Sequence, residues 1–188
     1  MLAAAGTGTR DLRNKAMPVV AYTTMARRSE LLALLREALQ VEADGFGILV
    51  IRRGKTDPEA EGAAAPVTPD AMRHLLAWTE AASVADGPLF RAVLKGGRIG
   101  GSLDASEVGR VFKAMARAAG LSQGDATRIS GHSTRVGAAH DLLRYGETLP
   151  AIMQAGRWKT AEMVGPLHGE VGRTPERRRA ARRPPRGF

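Results

Sequence analysis

The sequence predicts a mainly α-helical α+β domain carrying one small antiparallel sheet. Apolar residues recur at helical spacing through most of the chain up to Val164. One short β-prone run, Phe46 to Ile51, breaks that period, and turn residues such as Asp44-Gly45 and Asp86-Gly87-Pro88 separate the segments. A chain of 188 residues is long enough for one compact core with a shell of helices.

Arg10 to Tyr22 has helical spacing interrupted by Pro18, so a first helix with a kink is expected. Ser29-Glu30-Leu31 opens a second helix, Leu31 to Leu39, with Leu31, Leu34, Leu35 and Leu39 as its apolar positions. Phe46 to Ile51 then reads as a strand running into the turn Arg52-Arg53-Gly54, and Gly62 to Val67 as its returning partner. Thr68-Pro69-Asp70 caps the next helix, Ala71 to Ala82. Lys95-Gly96-Gly97 through Gly101 is expected to be a flexible loop. Ser106 to Ala119 is a helix with Val108, Val111, Phe112 and Met115 on one face. A linker reaches Gly131, and helices follow near Ser133–Arg144, Leu149–Ala155 and Lys159–Val164. From Arg173 to Phe188 the text is rich in Arg and Pro and is expected to be unfolded.

Composition narrows the function. There are no cysteines, which removes disulfides, thiolate metal sites and cysteine nucleophiles. No run is apolar enough to span a bilayer, and Met1 to Gly8 lacks the pattern of a secretory leader, so a cytoplasmic protein without a membrane partner is expected. The net charge of +9 points to a polyanion. From Gly165 onward seven Arg face only Glu170 and Glu176, so the tail supplies +5 and the body +4. The body is only mildly basic, and a nucleic-acid reading must rest on particular residues.

Four features occur in a fixed order: Arg27-Arg28-Ser29-Glu30 at a helix start, Lys55 in the turn between strands, His132-Ser133-Thr134-Arg135 at another helix start, and Gly156-Arg157-Trp158-Lys159 ahead of the last helix. Each alone has an ordinary explanation. An arginine pair is usually a solvated helix end, Lys55 a surface turn, His132 a cap, and Trp158 a core aromatic. The ordered set Arg, Lys, His-x-x-Arg, Trp resembles the tyrosine recombinase (phage integrase) family, over nearly all of the chain up to Val164. The resemblance implies that residues 1–164 are that family's helical catalytic domain, acting on double-stranded DNA and possessing neither cofactor nor metal. It further implies site-specific recombination or integration by strand cleavage and rejoining, in a bacterial or phage, nucleoid-associated setting, with other recombinase subunits as partners.

On this match Arg27 is the first catalytic arginine and Glu30 its supporting acid. Arg28 is the rival for that slot; the family spacing, which puts the acid three residues after the arginine, favours Arg27. Lys55 is the lysine of the β-turn, His132 and Arg135 form the second box, and Trp158 holds the final His/Trp position. Arg27, Arg28, Lys55 and Arg135 would contact DNA. The residue types suit phosphodiester cleavage. Two guanidinium forks hold the nonbridging oxygens bidentately as charge grows on them. The resemblance implies that Lys55 protonates the leaving deoxyribose oxygen, that His132 holds a proton near the phosphate, and that Trp158 donates its indole N–H.

The family's attacking tyrosine lies nine residues after the Trp position, and here that residue is Leu167. Tyr22 and Tyr145, the only tyrosines, fall where the family needs none. Loss of strand cleavage is therefore expected, leaving a non-catalytic DNA-binding module or a remnant of an integrase as the alternative function. Pro166 to Glu170 can be encoded by CCG CTA CAC GGA GAA; read one base later, those codons would give Arg-Tyr-Thr-Glu, with tyrosine at position 167. Residues 165–188 are accordingly expected to be a basic, frameshifted tail. By comparison with the family, a separate helical domain is also expected to be missing ahead of this one, which would weaken the grip on DNA.

Overall fold

The computed structural model describes residues 6–51 and 62–164. Among them are seven α-helices and five strands in the order α1 (Thr9–Thr23), α2 (Arg28–Ala33), β1 (Leu39–Val41), β2 (Gly47–Ile51), β3 (Ala63–Val67), α3 (Pro69–Ala81), β4 (Arg91–Val93), β5 (Ile99–Ser102), α4 (Ala105–Ala118), α5 (Gln123–Arg128), α6 (Gly131–Arg144) and α7 (Leu149–Gly156). The mainly α class with small antiparallel sheets stands as predicted. None of the described helices is long and apolar enough to cross a membrane.

Helix α1 is the axis of the fold. It packs on α3, α6 and α4, and its Ala16, Met17, Val20 and Ala21 are wholly buried. Pro18 sits inside it without ending it. Strand β2 pairs antiparallel with β1 on one side and β3 on the other. Leu49 and Ile51 point into the core and Ile48 and Val50 are half-buried, as the period of two requires. Trp78 of α3 closes this main core, its indole N–H donating to the Leu89 carbonyl at 2.8 Å. Helices begin at side-chain caps: Thr68 for α3, Asp104 for α4, Ser122 for α5, Ser130 for α6 and Thr148 for α7.

Four local expectations need correction. The second helix stops at Ala33 instead of reaching Leu39. Leu34 turns extended, its carbonyl accepting from the Leu89 amide at 2.8 Å, and Leu35 bridges Pro88. Leu31, Leu34 and Leu39 are still buried, so the apolar spacing is real but is delivered by a helix and an extended segment together. The Lys95–Gly101 stretch is not a loose loop. Gly96 and Gly97, at φ +76° and +81°, form the turn of a second antiparallel pair, β4–β5, so there are two small sheets among the described residues. The linker before Gly131 contains α5, whose cap Ser122 accepts from the Asp125 amide at 3.1 Å. The final helix is a short 3₁₀ turn, Ala161–Val164.

Beside the main core lies a smaller one, formed by Met25, Ala138, Ala139, Ile152, Trp158 and Val164. It joins α6 and α7 to the junction between α1 and α2. Among the described residues, the predicted site residues Arg27, Arg28, His132, Arg135 and Trp158 gather beside this smaller core.

Candidate functional site

Arg27 stands just before α2 with extended backbone (φ −68°, ψ 157°), which leaves the first amides of the helix to be satisfied by side chains. Glu30, three residues on, folds back. Its Oε2 accepts from the Arg27 amide at 2.8 Å and its Oε1 from Arg27 Nη1 at 2.6 Å. The other arm of that guanidinium, Nη2, donates to the Arg157 carbonyl at 2.9 Å. Arg27 is thus anchored from behind while its side chain remains 41 % exposed on the cavity side.

The second wall is the start of α6. Ser130 caps it by accepting from the His132 amide at 3.3 Å, and Ser133 returns the favour to the Ser130 amide at 3.0 Å. His132, in the first turn, is exposed, whereas Arg135, almost one turn further, is only 2 % exposed. Arg135 Nη2 donates to the Gly156 carbonyl at 2.6 Å and Nη1 to the Met25 carbonyl. Its guanidinium carbon lies 4.7 Å from the centroid of the Trp158 ring, a cation–π arrangement. Gly131 lets this helix start approach α2 closely: a Cβ there would stand 3.3 Å from Arg28 Cβ. At Gly156 the constraint is sharper, because a Cβ would meet two Trp158 ring carbons at 2.1 Å.

Arg27, Arg28, Ser130, Gly131, His132, Arg135, Trp158 and Met163 line one cavity of about 490 Å³. Three cations and one helix N-terminus converge on it, with Glu30 held behind Arg27, so the cavity favours an anion. Burial pulls the Arg135 guanidinium down to about 10, and the positive charges of Arg27 and Arg157 add to this while Glu30 opposes it; the group is still cationic at neutral pH. Burial pushes the Glu30 carboxyl up, but hydrogen bonds from Arg27 and Arg157 outweigh it, so its pKa settles below the usual carboxylate value. A tetrahedral oxyanion with spread charge, such as a phosphodiester, matches a pocket of fixed forks and an indole N–H.

Arg27, Arg28, His132, Arg135 and Trp158, picked from sequence, are therefore brought together, with Glu30 immediately behind them. Lys55 and Leu167 lie outside the described residues, as does the tail from Gly165 on. The two tyrosines are elsewhere. Tyr22 donates to Asp141 Oδ2 at 2.6 Å, and burial, then that carboxylate, push its pKa up, the reverse of what a nucleophile needs. Tyr145 is at the far end of α6, about 20 Å along the helix from His132 at 1.5 Å per residue. Sequence reasoning passed over Arg157, whose guanidinium is inserted between α1, α2 and α7 and reaches Glu30 Oε2 at 2.9 Å. Nothing in Gly-Arg-Trp announces that role, since it depends on the backbone turning left-handed at Arg157 (φ +54°).

The family model for the phage integrase family matches residues 1–166. Recombinase Cre of Escherichia phage P1 is 31 % identical over an alignment of 166 residues that covers 82 % of this chain and 48 % of that protein. A crystal structure of the XerA recombinase superposes with a TM-score of 0.65 at 21 % identity, covering 84 % of this chain and 53 % of that one. The XerH site-specific recombinase bound to its difH substrate, a pre-cleavage complex, gives 0.63 at 18 % identity over 83 % and 42 % of the two chains. At such identities the structural likeness is one of fold. The chain spans about half the length of the curated relatives it matches.

Two expectations follow from this geometry. Gly156→Ala forces the Trp158 ring out of place and is expected to cost about 1–3 kcal/mol in urea unfolding, with a shifted Trp158 indole NMR signal; an unmoved indole would show the packing to be looser than described. Glu30's folded pKa lies below the usual carboxylate value, so its stabilisation is complete above the ordinary carboxylate range and fades as pH falls through the folded value. Glu30→Gln should therefore be less stable than the parent by about 2 kcal/mol at pH 7, with the gap closing towards pH 3. A gap of equal size at both pH values would contradict the ion-pair assignment.

Proposed function

Because the chain belongs to the phage integrase (tyrosine recombinase) family, we propose that residues 1–164 are a recombinase catalytic domain whose cavity grips one phosphodiester of double-stranded DNA. The observation that carries this reading is the convergence of Arg27, Arg28, His132, Arg135 and Trp158 on a single cavity from three separate stretches of chain. In the family reaction, site-specific recombination or integration, a tyrosine attacks the phosphate and strands are cleaved and rejoined. Arg27 and Arg135 would hold the nonbridging oxygens, Trp158 would donate its N–H to one of them, and His132, exposed at the mouth, would hold a proton beside the phosphate. Arg28 would contact the neighbouring backbone. Lys55 is proposed as the acid for the leaving oxygen on the strength of its place in the sequence pattern. No step in this scheme needs a metal.

The reaction is proposed to stop short in this chain. Leu167 occupies the nucleophile's position, and residues 165–188 are proposed to be a basic tail read out of frame. Tyr22 and Tyr145 are too poorly placed to substitute. The protein would then bind recombination sites without cutting them, alone or among other recombinase subunits, a non-catalytic DNA-binding module left from an integrase. The phosphate grip survives in this reading because it depends on Arg27 and Arg135, not on the tyrosine.

Two measurements bear on this. In gel-shift titrations with duplex DNA, Arg135→Lys, which keeps the charge but loses the fork, is expected to weaken binding on the order of tenfold. Unchanged affinity in a variant whose circular dichroism is normal would move the DNA contact to the basic tail. With a nicked suicide substrate, no covalent protein–DNA adduct is expected on a denaturing gel; an adduct would overturn the proposed cleavage defect.

A further inference from the structure

Arg157 is at the C-terminus of α7 in the left-handed conformation, φ +54° and ψ +44°, where glycine is the residue without steric cost. It bears a second cost, a buried Nε with no hydrogen-bond partner among the described residues. Yet its side chain is only 9 % exposed and is held by four acceptors. Nη1 donates to the carbonyls of Thr24 and Ala155, both at 3.2 Å; Nη2 donates to the Met25 carbonyl at 3.0 Å and to Glu30 Oε2 at 2.9 Å.

Two of those acceptors also hold the cavity arginines Arg27 and Arg135. Met25, itself left-handed at φ +49°, offers its carbonyl to Arg135 as well as to Arg157. Glu30 is shared between Arg27 and Arg157, and the backbone carbonyl of Arg157 receives Arg27 Nη2. Two guanidiniums thus share one carboxylate, and a third, that of Arg135, shares the Met25 carbonyl with one of them. With Arg157 present, Glu30 divides its charge between two cations and cannot fully neutralise Arg27. Without it, Glu30 would turn wholly to Arg27, and the Met25 carbonyl would lose one of its two anchors.

We infer that Arg157 is a positioning residue that keeps Arg27 and Arg135 aimed at the cavity and undercompensated in charge, so that a phosphate can bind there. The inference rests on the phosphate-site reading above. Arg157 does not line the cavity and would not touch the phosphate itself.

The test uses the full chain at low salt, with inorganic phosphate titrated in and the Nε–Hε signals of Arg27 and Arg135 followed by NMR. In the parent both signals are expected to shift together and saturate. Arg157→Gly suits the left-handed backbone and removes the guanidinium; it should fold, move the Arg27 signal before any phosphate is added, and bind phosphate on the order of tenfold more weakly, about the worth of one misdirected charge-assisted contact. Arg157→Lys restores a charge near Glu30 but not the fork, and should fall between the two. An Arg157→Gly protein that folds, leaves the Arg27 signal in place and binds phosphate like the parent overturns the inference, as does an Arg157→Lys protein indistinguishable from the parent. Should Arg157→Gly fail to fold, the Arg157→Lys titration decides by that same criterion. Arg135→Lys separates this from the underlying reading: if it too binds phosphate like the parent, the phosphate site itself is wrong, whereas weakening in Arg135→Lys alone removes only the role of Arg157.

Discussion

Arg135 is the contact on which the rest of the molecule turns. Burying a guanidinium is costly, and the same burial pulls its pKa down to about 10. The cost is offset because the fork reaches two carbonyls far apart in sequence, Met25 and Gly156, while its face lies against Trp158. One side chain on α6 therefore pins the α1–α2 junction to the end of α7. A hydrophobic residue could fill the volume but would strand both carbonyls, and a lysine could not meet them from one plane. The fold and the anion site share this group, so neither can be altered there without the other.

Around that pin the backbone is arranged in an uncommon way. Met25 and Arg157 both adopt left-handed conformations, and each presents a carbonyl to an arginine of the other's segment. Such conformations persist only where surrounding contacts determine them. Here the surrounding contacts are the small core of Met25, Ala138, Ala139, Ile152, Trp158 and Val164 on one side and the ion pairs of Glu30 on the other. Rigid elements meet at the cavity with their ends, a geometry that presents amides, forks and an indole while leaving the middle of each helix free to pack.

The helices were largely legible because their signals are local: caps at Thr68 and Ser130, and a buried face at Val108, Val111, Phe112 and Met115. The stretch from Leu34 to Leu39 was not, since Leu31, Leu34 and Leu39 are spaced as in a helix while a backbone partner at Leu89 holds Leu34 extended and a 3₁₀ turn follows at Arg36–Ala38. Local pattern cannot show a partner fifty-five residues away. The β4–β5 turn was missed for a related reason, as Gly96-Gly97 suits a tight turn and a loose loop equally. In the site, the ordered arginines, histidine and tryptophan could be recognised as a set. Arg157 could not, because its importance comes from a dihedral angle and from three carbonyls that carry no sequence signature.

Val164 is the last described residue, and it is 2 % exposed, packed with Ile152 and Trp158. Its side chain ties the short 3₁₀ turn Ala161–Val164 to the cluster that includes Trp158, the ring lying against Arg135. A cavity opened at Val164 would loosen the seat of the Trp158 ring along with the small core, so stability and the geometry beside Arg135 would be lost together.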